Sequence, residues 1–273
     1  MTRPQDGLPE LRYLDAGRRS PAALVLLHSL GADHRMWRRQ VEVWSTDHRV
    51  IAPDSRGHGA SEGAGSVSVE EWVGDLHRVL EQADVHRAVL IGVSLGGIQA
   101  VAYAATHPDR VTALVVADSF VALEPDVARA KVGHLADDAV RRGMAAVADS
   151  YVEETFQVVP QPAEAQCVRA AIAGMSVPEY VESVRACFEV DITDRLNRVV
   201  APTLVLWGDR DSKTPRPLSE RIRAGIRGAD LREVPGAGHL SNVDSPRCFT
   251  RLVNEFIQHQ GGVPVHGDLK GTG

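Results

Sequence analysis

Several familiar kinds of chemistry are missing from this chain. Its three cysteines, Cys167, Cys187 and Cys248, stand far apart and form no CxxC pair. That argues against a disulfide framework or a thiolate metal site and reads as free thiols in a reducing compartment. No HExxH helix is present, so no zinc centre is expected. No nucleotide cofactor is expected either: Gly92-Val93-Ser94-Leu95-Gly96-Gly97 lacks the spacing of a dinucleotide fingerprint and has serine where a pyrophosphate would approach. No apolar run reaches the ~18 residues of a membrane span, and Met1 to Gly7 lack the apolar segment of a signal peptide. The net charge of −6 and the pI near 6.0 are mild. Basic residues are scattered, so neither nucleic acid nor an anionic membrane is an expected partner. No internal repeat appears at any period. What remains is a cytoplasmic protein whose partner is a small molecule.

Of the 273 residues, 44% are hydrophobic, enough for a sizeable core. Leu24 to Leu27, Val50 to Ala52, Val89 to Gly92, Ala113 to Val116 and Leu204 to Leu206 are continuous apolar runs, the mark of strands buried on both faces. Leu11 to Leu14 is a weaker early strand. Val69 to Gln82 and Leu95 to Thr106 have helical periodicity, and Pro108 stops the second. Such alternation predicts an α/β protein with a parallel sheet and helices on both faces. The pattern breaks between about Leu123 and Leu196, where helical sequence such as Val127 to Leu135, Ala139 to Val147 and Pro178 to Phe188 replaces strands. This block reads as an insertion, and strand sequence resumes at Thr203. The glycine-rich segment 261–273 reads as a frayed tail.

The strand ending at Gly92 feeds Ser94, with glycine two residues to either side and a helix directly after. Gly-x-Ser-x-Gly in that setting is a nucleophile elbow, which holds a serine hydroxyl above the sheet. The bland reading is a glycine-rich turn whose serine merely caps a helix. A serine hydroxyl is a weak nucleophile near neutral pH and needs a base, which needs an orienting acid. His239, in Pro235-Gly236-Ala237-Gly238-His239, follows the strand-like Leu231 to Val234 and is the candidate base. Asp211, after Leu204 to Leu206, is the candidate acid, with Asp209 on the same loop and Asp118 after the neighbouring strand as rivals. The chain order Ser94, Asp211, His239 is that of one particular fold. Two backbone N–H groups must also meet the oxyanion of acyl transfer. Leu95, next to the nucleophile, and Leu30, in the loop His28-Ser29-Leu30-Gly31, are the candidate donors.

These segments resemble the α/β-hydrolase superfamily, over nearly the whole chain. Asp54-Ser55-Arg56-Gly57-His58-Gly59-Ala60-Ser61 and His107-Pro108-Asp109-Arg110-Val111 add to the likeness, and Arg56, His58 and His28 read as loop braces. The resemblance implies a mostly parallel sheet flanked by helices. It implies a core over 1–122 and 197–260, a helical lid over 123–196, and the tail 261–273. The first of the usual eight strands is hard to find. Within the superfamily, Ser29 to Trp37, Arg56 to Ser61 and Gly238 to Asn242 are most similar to 3-oxoadipate enol-lactonases of aromatic-acid catabolism. That likeness implies a small lactone bearing a carboxylate, no cofactor, and Trp37 and Leu240 as pocket candidates. It also implies a cationic lid residue among Arg129, Arg141, Arg142, Arg169 and Arg185. A broader carboxylesterase, a cofactor-free haloperoxidase or perhydrolase, and a slow-turnover ligand-binding receptor stay open beside it.

Overall fold

The structure, a computed structural model, describes residues 8–63, 66–156 and 163–260; the expected tail 261–273 lies outside them. The apolar runs become the strands β1 (Tyr13–Ala16), β2 (Ala22–Leu27), β3 (Val50–Pro53), β4 (Arg87–Val93), β5 (Val111–Ala117), β6 (Thr203–Gly208) and β7 (Asp230–Val234). They form one seven-stranded sheet in the order β1-β3-β2-β4-β5-β6-β7. Only β1 runs antiparallel to its neighbour. The early strand begins at Tyr13 rather than Leu11. Its partner β3 offers only Val50 to Pro53 for pairing, so Leu11 is buried without joining the ladder.

Alternate residues of each inner strand serve two cores, because strand side chains point to opposite faces. Leu24, Leu26, Val89 and Ile91 pack with helices α1 (Arg38–Trp44) and α9 (Pro246–His259). Val25, Leu27, Leu90 and Leu114 pack with α2 (Val69–Gln82), α3 (Leu95–Thr106) and α7 (Arg216–Gly225). Coverage on both faces is why these strands carry no polar alternation. Among the described residues no helix is long and apolar enough to cross a membrane.

Between β5 and β6 the chain forms α4 (Pro125–Thr155), α5 (Ala163–Gly174) and α6 (Val177–Phe188). Two helices meeting between Leu135 and Ala139 are expected in α4, but the break falls later. Gly143 alone leaves helical geometry, at φ 78°, a conformation open to glycine at little cost. The insertion leaves after Ala122 and returns at Asp191, and these two residues form an isolated antiparallel bridge. Thr193–Arg198 already packs on α3, so the return precedes the expected boundary at 196. After β6 and β7 the chain ends in α8 (Ser241–Asp244) and α9.

The turn after β3 is held from inside by buried side chains. Arg56 grips Asp75 with two hydrogen bonds, 2.6 and 2.9 Å. His28 accepts the Ser55 N–H through Nε2 at 2.9 Å, which leaves its Nδ1–H to donate to Ser29 O at 2.8 Å. His58 donates Nδ1–H to Arg56 O at 3.0 Å, and its ring lies 5.1 Å from that of His28. All three residues brace loops, as their motifs suggest. Burial, and then the neighbouring His28, push the His58 pKa down to about 3. A histidine with a depressed native pKa takes up its proton in the unfolded chain first, so stability falls as pH drops below the unfolded pKa of ~6.5. We expect the native state to lose about 2–3 kcal/mol from this source by a pH of about 4.5. Urea unfolding of wild type and His58→Gln between these pH values checks this. Equal pH slopes would clear His58.

Candidate active site

The elbow is shaped by close backbone approach. A Cβ on Gly92 would lie 2.1 Å from Gly96 O, and one on Gly96 would lie 2.1 Å from Leu27 O. Only glycine lets β4 turn directly into α3 beneath β2. Ser94 between them adopts φ 55° and ψ −117°, a region that costs a non-glycine residue roughly 1–3 kcal/mol. Neighbouring strand ends hold it there: Ser94 N–H donates to Ala117 O at 2.9 Å, and Ser119 Oγ donates to Ser94 O at 2.7 Å.

Three strand ends then converge. His239 Nε2 stands 3.1 Å from Ser94 Oγ, and its Nδ1 stands 3.0 Å from Asp211 Oδ2. All three side chains are buried. Asp211 Oδ1 accepts the N–H groups of Lys213 (2.8 Å) and Thr214 (3.0 Å), and Thr214 Oγ1 donates to Oδ2. Burial raises the Asp211 pKa, but the His239 charge, its hydrogen bond and those of Thr214 outweigh burial and hold it at about 2. The acid is therefore ionised wherever a histidine can be neutral. In this arrangement a proton can leave Ser94 Oγ for His239 while the imidazolium faces a carboxylate.

The rival acids sit elsewhere. Asp209 is exposed and accepts Gly236 N–H at 2.7 Å. Asp118 is fully buried at φ 47°. Its two oxygens accept Gly208 N–H at the end of β6 (2.9 Å) and Ser241 N–H just past the base (3.0 Å). It ties the loops that carry Asp211 and His239 together. Burial and the nearby Asp211 charge push its carboxyl well up.

Ser94 and His239 open into a cavity of about 190 Å³ under the inserted helices. Phe120, Leu135, Val147, Ile172 and Phe188 give it apolar walls, and Ser29 and Leu30 line it as well. Among the described residues neither the Leu30 N–H nor the Leu95 N–H has an acceptor. Tyr151 of α4 lines the cavity too, its hydroxyl 3.5 Å from Ser29 Oγ.

Two sets of expected pocket residues need correction. Trp37 and Leu240 do not line the cavity. Both are fully buried in the core, Trp37 with its ring 6.0 Å from Phe249, because large apolar side chains beside a site serve packing first. No lid arginine faces the cavity either. Arg129, Arg142, Arg169 and Arg185 reach Asp126, Asp138, Asp149 and Glu182 at the surface, and Arg141 is exposed. The basic side chains in the wall are the lysines Lys131 and Lys213, with the imidazole of His134 beside them, none of which motif reading selects. Thr214 is missed as well, although threonine three residues after the acid is placed for a side-chain-to-backbone turn.

Asp33, His34 and Asp54 are the described residues whose ligand atoms gather closely enough for a metal. Their donors are engaged: Asp33 holds Arg35, and Asp54 accepts His34 N–H and Nδ1–H at 2.9 Å each and Ala60 N–H at 3.0 Å. They brace the loop that carries Leu30.

Known proteins are similar to this chain in sequence and in fold. The chain is similar to 3-oxoadipate enol-lactonase 1 of Acinetobacter baylyi, 25% identical over 89% of this chain and 91% of the relative. It is similar in the same measure to 2-hydroxy-6-oxononadienedioate/2-hydroxy-6-oxononatrienedioate hydrolase of Paraburkholderia xenovorans, 28% identical over 93% and 92%. Among solved structures, the enol-lactonase from Burkholderia xenovorans LB400 superposes with a TM-score of 0.84 at 28% identity, covering 92% of this chain and 97% of that one. The profile of the alpha/beta hydrolase fold matches residues 22–246, a span that holds the elbow, the insertion and the loops of Asp211 and His239. With most of its length matched in that way, the chain belongs to the alpha/beta hydrolase fold family.

Proposed function

We propose that this protein cleaves a carboxylic ester or lactone through an acyl-enzyme on Ser94, and that its substrate is 3-oxoadipate enol-lactone. The observation that carries the reading is the unbroken chain from Ser94 Oγ through His239 to Asp211, at 3.1 and 3.0 Å, opening on a partly open cavity of mixed apolar and charged walls. Membership of the family supports a hydrolase. The lactone is supported by the enol-lactonases among the relatives and by a cavity sized for a small substrate.

In this reading His239 takes the proton of Ser94 as Oγ attacks the carbonyl carbon. The oxyanion is met by the N–H groups of Leu30 and Leu95, the second at the start of α3, where the helix dipole adds positive potential. The ring C–O bond then breaks, and the enolate oxygen takes the proton that His239 holds, or leaves as the anion while His239 returns that proton to the medium; either way the imidazole is neutral again. A good leaving group needs little acid assistance, so His239 serves mainly as base. Water, deprotonated by His239, attacks the acyl carbon and frees Ser94. The apolar walls exclude bulk water and strengthen each of these contacts.

The test is kcat/KM for the enol-lactone, followed by loss of its ultraviolet absorbance. We expect a value of about 10⁵ M⁻¹s⁻¹ or above, within the ordinary range for a natural substrate. Ser94-dependent cleavage of simple aryl esters, with the lactone slower by orders of magnitude, would keep the chemistry and remove the substrate.

A further inference from the structure

Of the 30 basic side chains in the sequence, 27 are arginine and only three are lysine: Lys131, Lys213 and Lys270. Two of those three line the cavity above Ser94. Lys213 is committed there, its Nζ 3.0 Å from Glu154 and 5.1 Å from the centre of the Tyr151 ring. Lys131 is not. Its Nζ stands 5.6 Å from the centre of the Phe188 ring, and among the described residues it has no carboxylate within ion-pair distance. The two acids of the cavity wall are already answered, Asp138 by Arg142 at 3.1 Å and Glu154 by Lys213. The wall therefore holds one ammonium in excess.

The position of that ammonium relative to the serine is legible through two rings. Phe188 stacks on Phe120 with centroids 5.9 Å apart, and Phe120 follows Ser119, whose hydroxyl holds the Ser94 carbonyl. Lys131 also faces Cys187 on the same wall: burial pushes that thiol up to about 12, and the Lys131 charge opposes the shift. The half-buried Lys131 ammonium, beside an aromatic ring and with no carboxylate partner among the described residues, can offer its N–H donors to an anion that enters the cavity. A hydrogen bond to a charged partner in such a place is stronger than one in water.

We infer that Lys131 is a specificity-determining residue that selects substrates bearing a carboxylate remote from the scissile carbonyl. This rests on the hydrolase reading above but not on the identity of the lactone. The cavity then divides its labour: Phe120, Phe188 and Ile172 take the carbon frame, and the Lys131 ammonium takes the charge that neutral esters lack. Lysine suits that task better than arginine, because a compact point charge on a flexible stem can follow a carboxylate over a range of substrate lengths.

Two matched ester pairs read the effect. One places the charge on the leaving group (4-acetoxybenzoate against its methyl ester), the other on the acyl group (an aryl hemiglutarate against the aryl pentanoate). Wild type is expected to favour the anionic member of at least one pair by about tenfold or more in kcat/KM. Lys131→Gln should bring that ratio towards one, and Lys131→Arg should restore part of it. A ratio near one in both wild-type pairs, or a ratio that Lys131→Gln leaves unchanged, would overturn the inference. Calorimetric titration of Ser94→Ala with glutarate reads the same site without turnover. Weakening of glutarate binding by about tenfold on adding Lys131→Gln is expected, and identical affinities, or no binding to Ser94→Ala at all, would also overturn it. Loss of Ser94-dependent cleavage of all four esters, with glutarate still bound through Lys131, would instead sink the hydrolase reading alone.

Discussion

Ser94→Ala should lower kcat by about 10⁴-fold or more and leave the thermal unfolding midpoint nearly unchanged. The hydroxyl is the atom to which His239 Nε2 points at 3.1 Å, so under the proposed mechanism its removal would end covalent catalysis and leave only positioning and oxyanion stabilisation. The fold is insensitive because what holds residue 94 is backbone: its N–H to Ala117 and its carbonyl to Ser119. Alanine meets the same strain at φ 55° that serine already bears. Steady-state kinetics and calorimetry on one preparation check both halves. Wild-type turnover in the variant would take Ser94 out of the mechanism, whereas a collapsed midpoint would mean that the elbow depends on its side chain.

Asp211→Asn should cost about 10⁴-fold in kcat, and it discriminates between the buried acids. An amide at 211 can present its NH₂ to His239 Nδ1, which then accepts rather than donates, and the proton moves to Nε2, where it cannot receive another from Ser94. The carboxylate's low pKa, about 2, means that the charge as well as the tautomer is lost. Asp118→Asn is expected to act differently. Its oxygens hold Gly208 and Ser241 N–H groups, and an amide can accept only one of them. That variant should lose stability by about 1–3 kcal/mol, the cost of a buried donor left unsatisfied, and fall in kcat by far less than Asp211→Asn. Equal losses of kcat would move the acid's role to Asp118.

The contrast between these aspartates marks how far sequence reading reaches. The convergence of Ser94, His239 and Asp211 is legible because each follows an apolar run, and the ends of parallel strands meet at one edge of the sheet. Asp118 satisfies the same rule and is separated from Asp211 only by where its oxygens find donors, which is a tertiary fact. The strands themselves are plain from continuous apolar runs, while β1 is displaced because an edge strand extends only as far as its partner. Trp37 and Leu240 show the opposite failure: closeness in sequence to a functional loop does not tell whether a side chain points into the cavity or the core. The break at Gly143 carries a glycine signal, yet helical periodicity on either side obscures it. Lys131 and Lys213 have no motif at all; only their rarity against so many arginines sets them apart.

The bridge between Ala122 and Asp191 has a bearing on how such a protein can diversify. Everything between those residues enters and leaves the body at a single point. The entropy of closing a loop grows only slowly with its length, by roughly 0.6 kcal/mol per doubling. A change in the length of the stretch therefore adds little closure entropy and leaves the strand connections on either side in place, while its helices remain tied to the body through contacts such as Arg38 with Glu164 and Lys213 with Glu154. Ser94, Asp211 and His239 stand outside that stretch, and most of the cavity wall, from Lys131 to Phe188, stands on it. If the proposed chemistry holds, a change of substrate would fall mainly on that one segment.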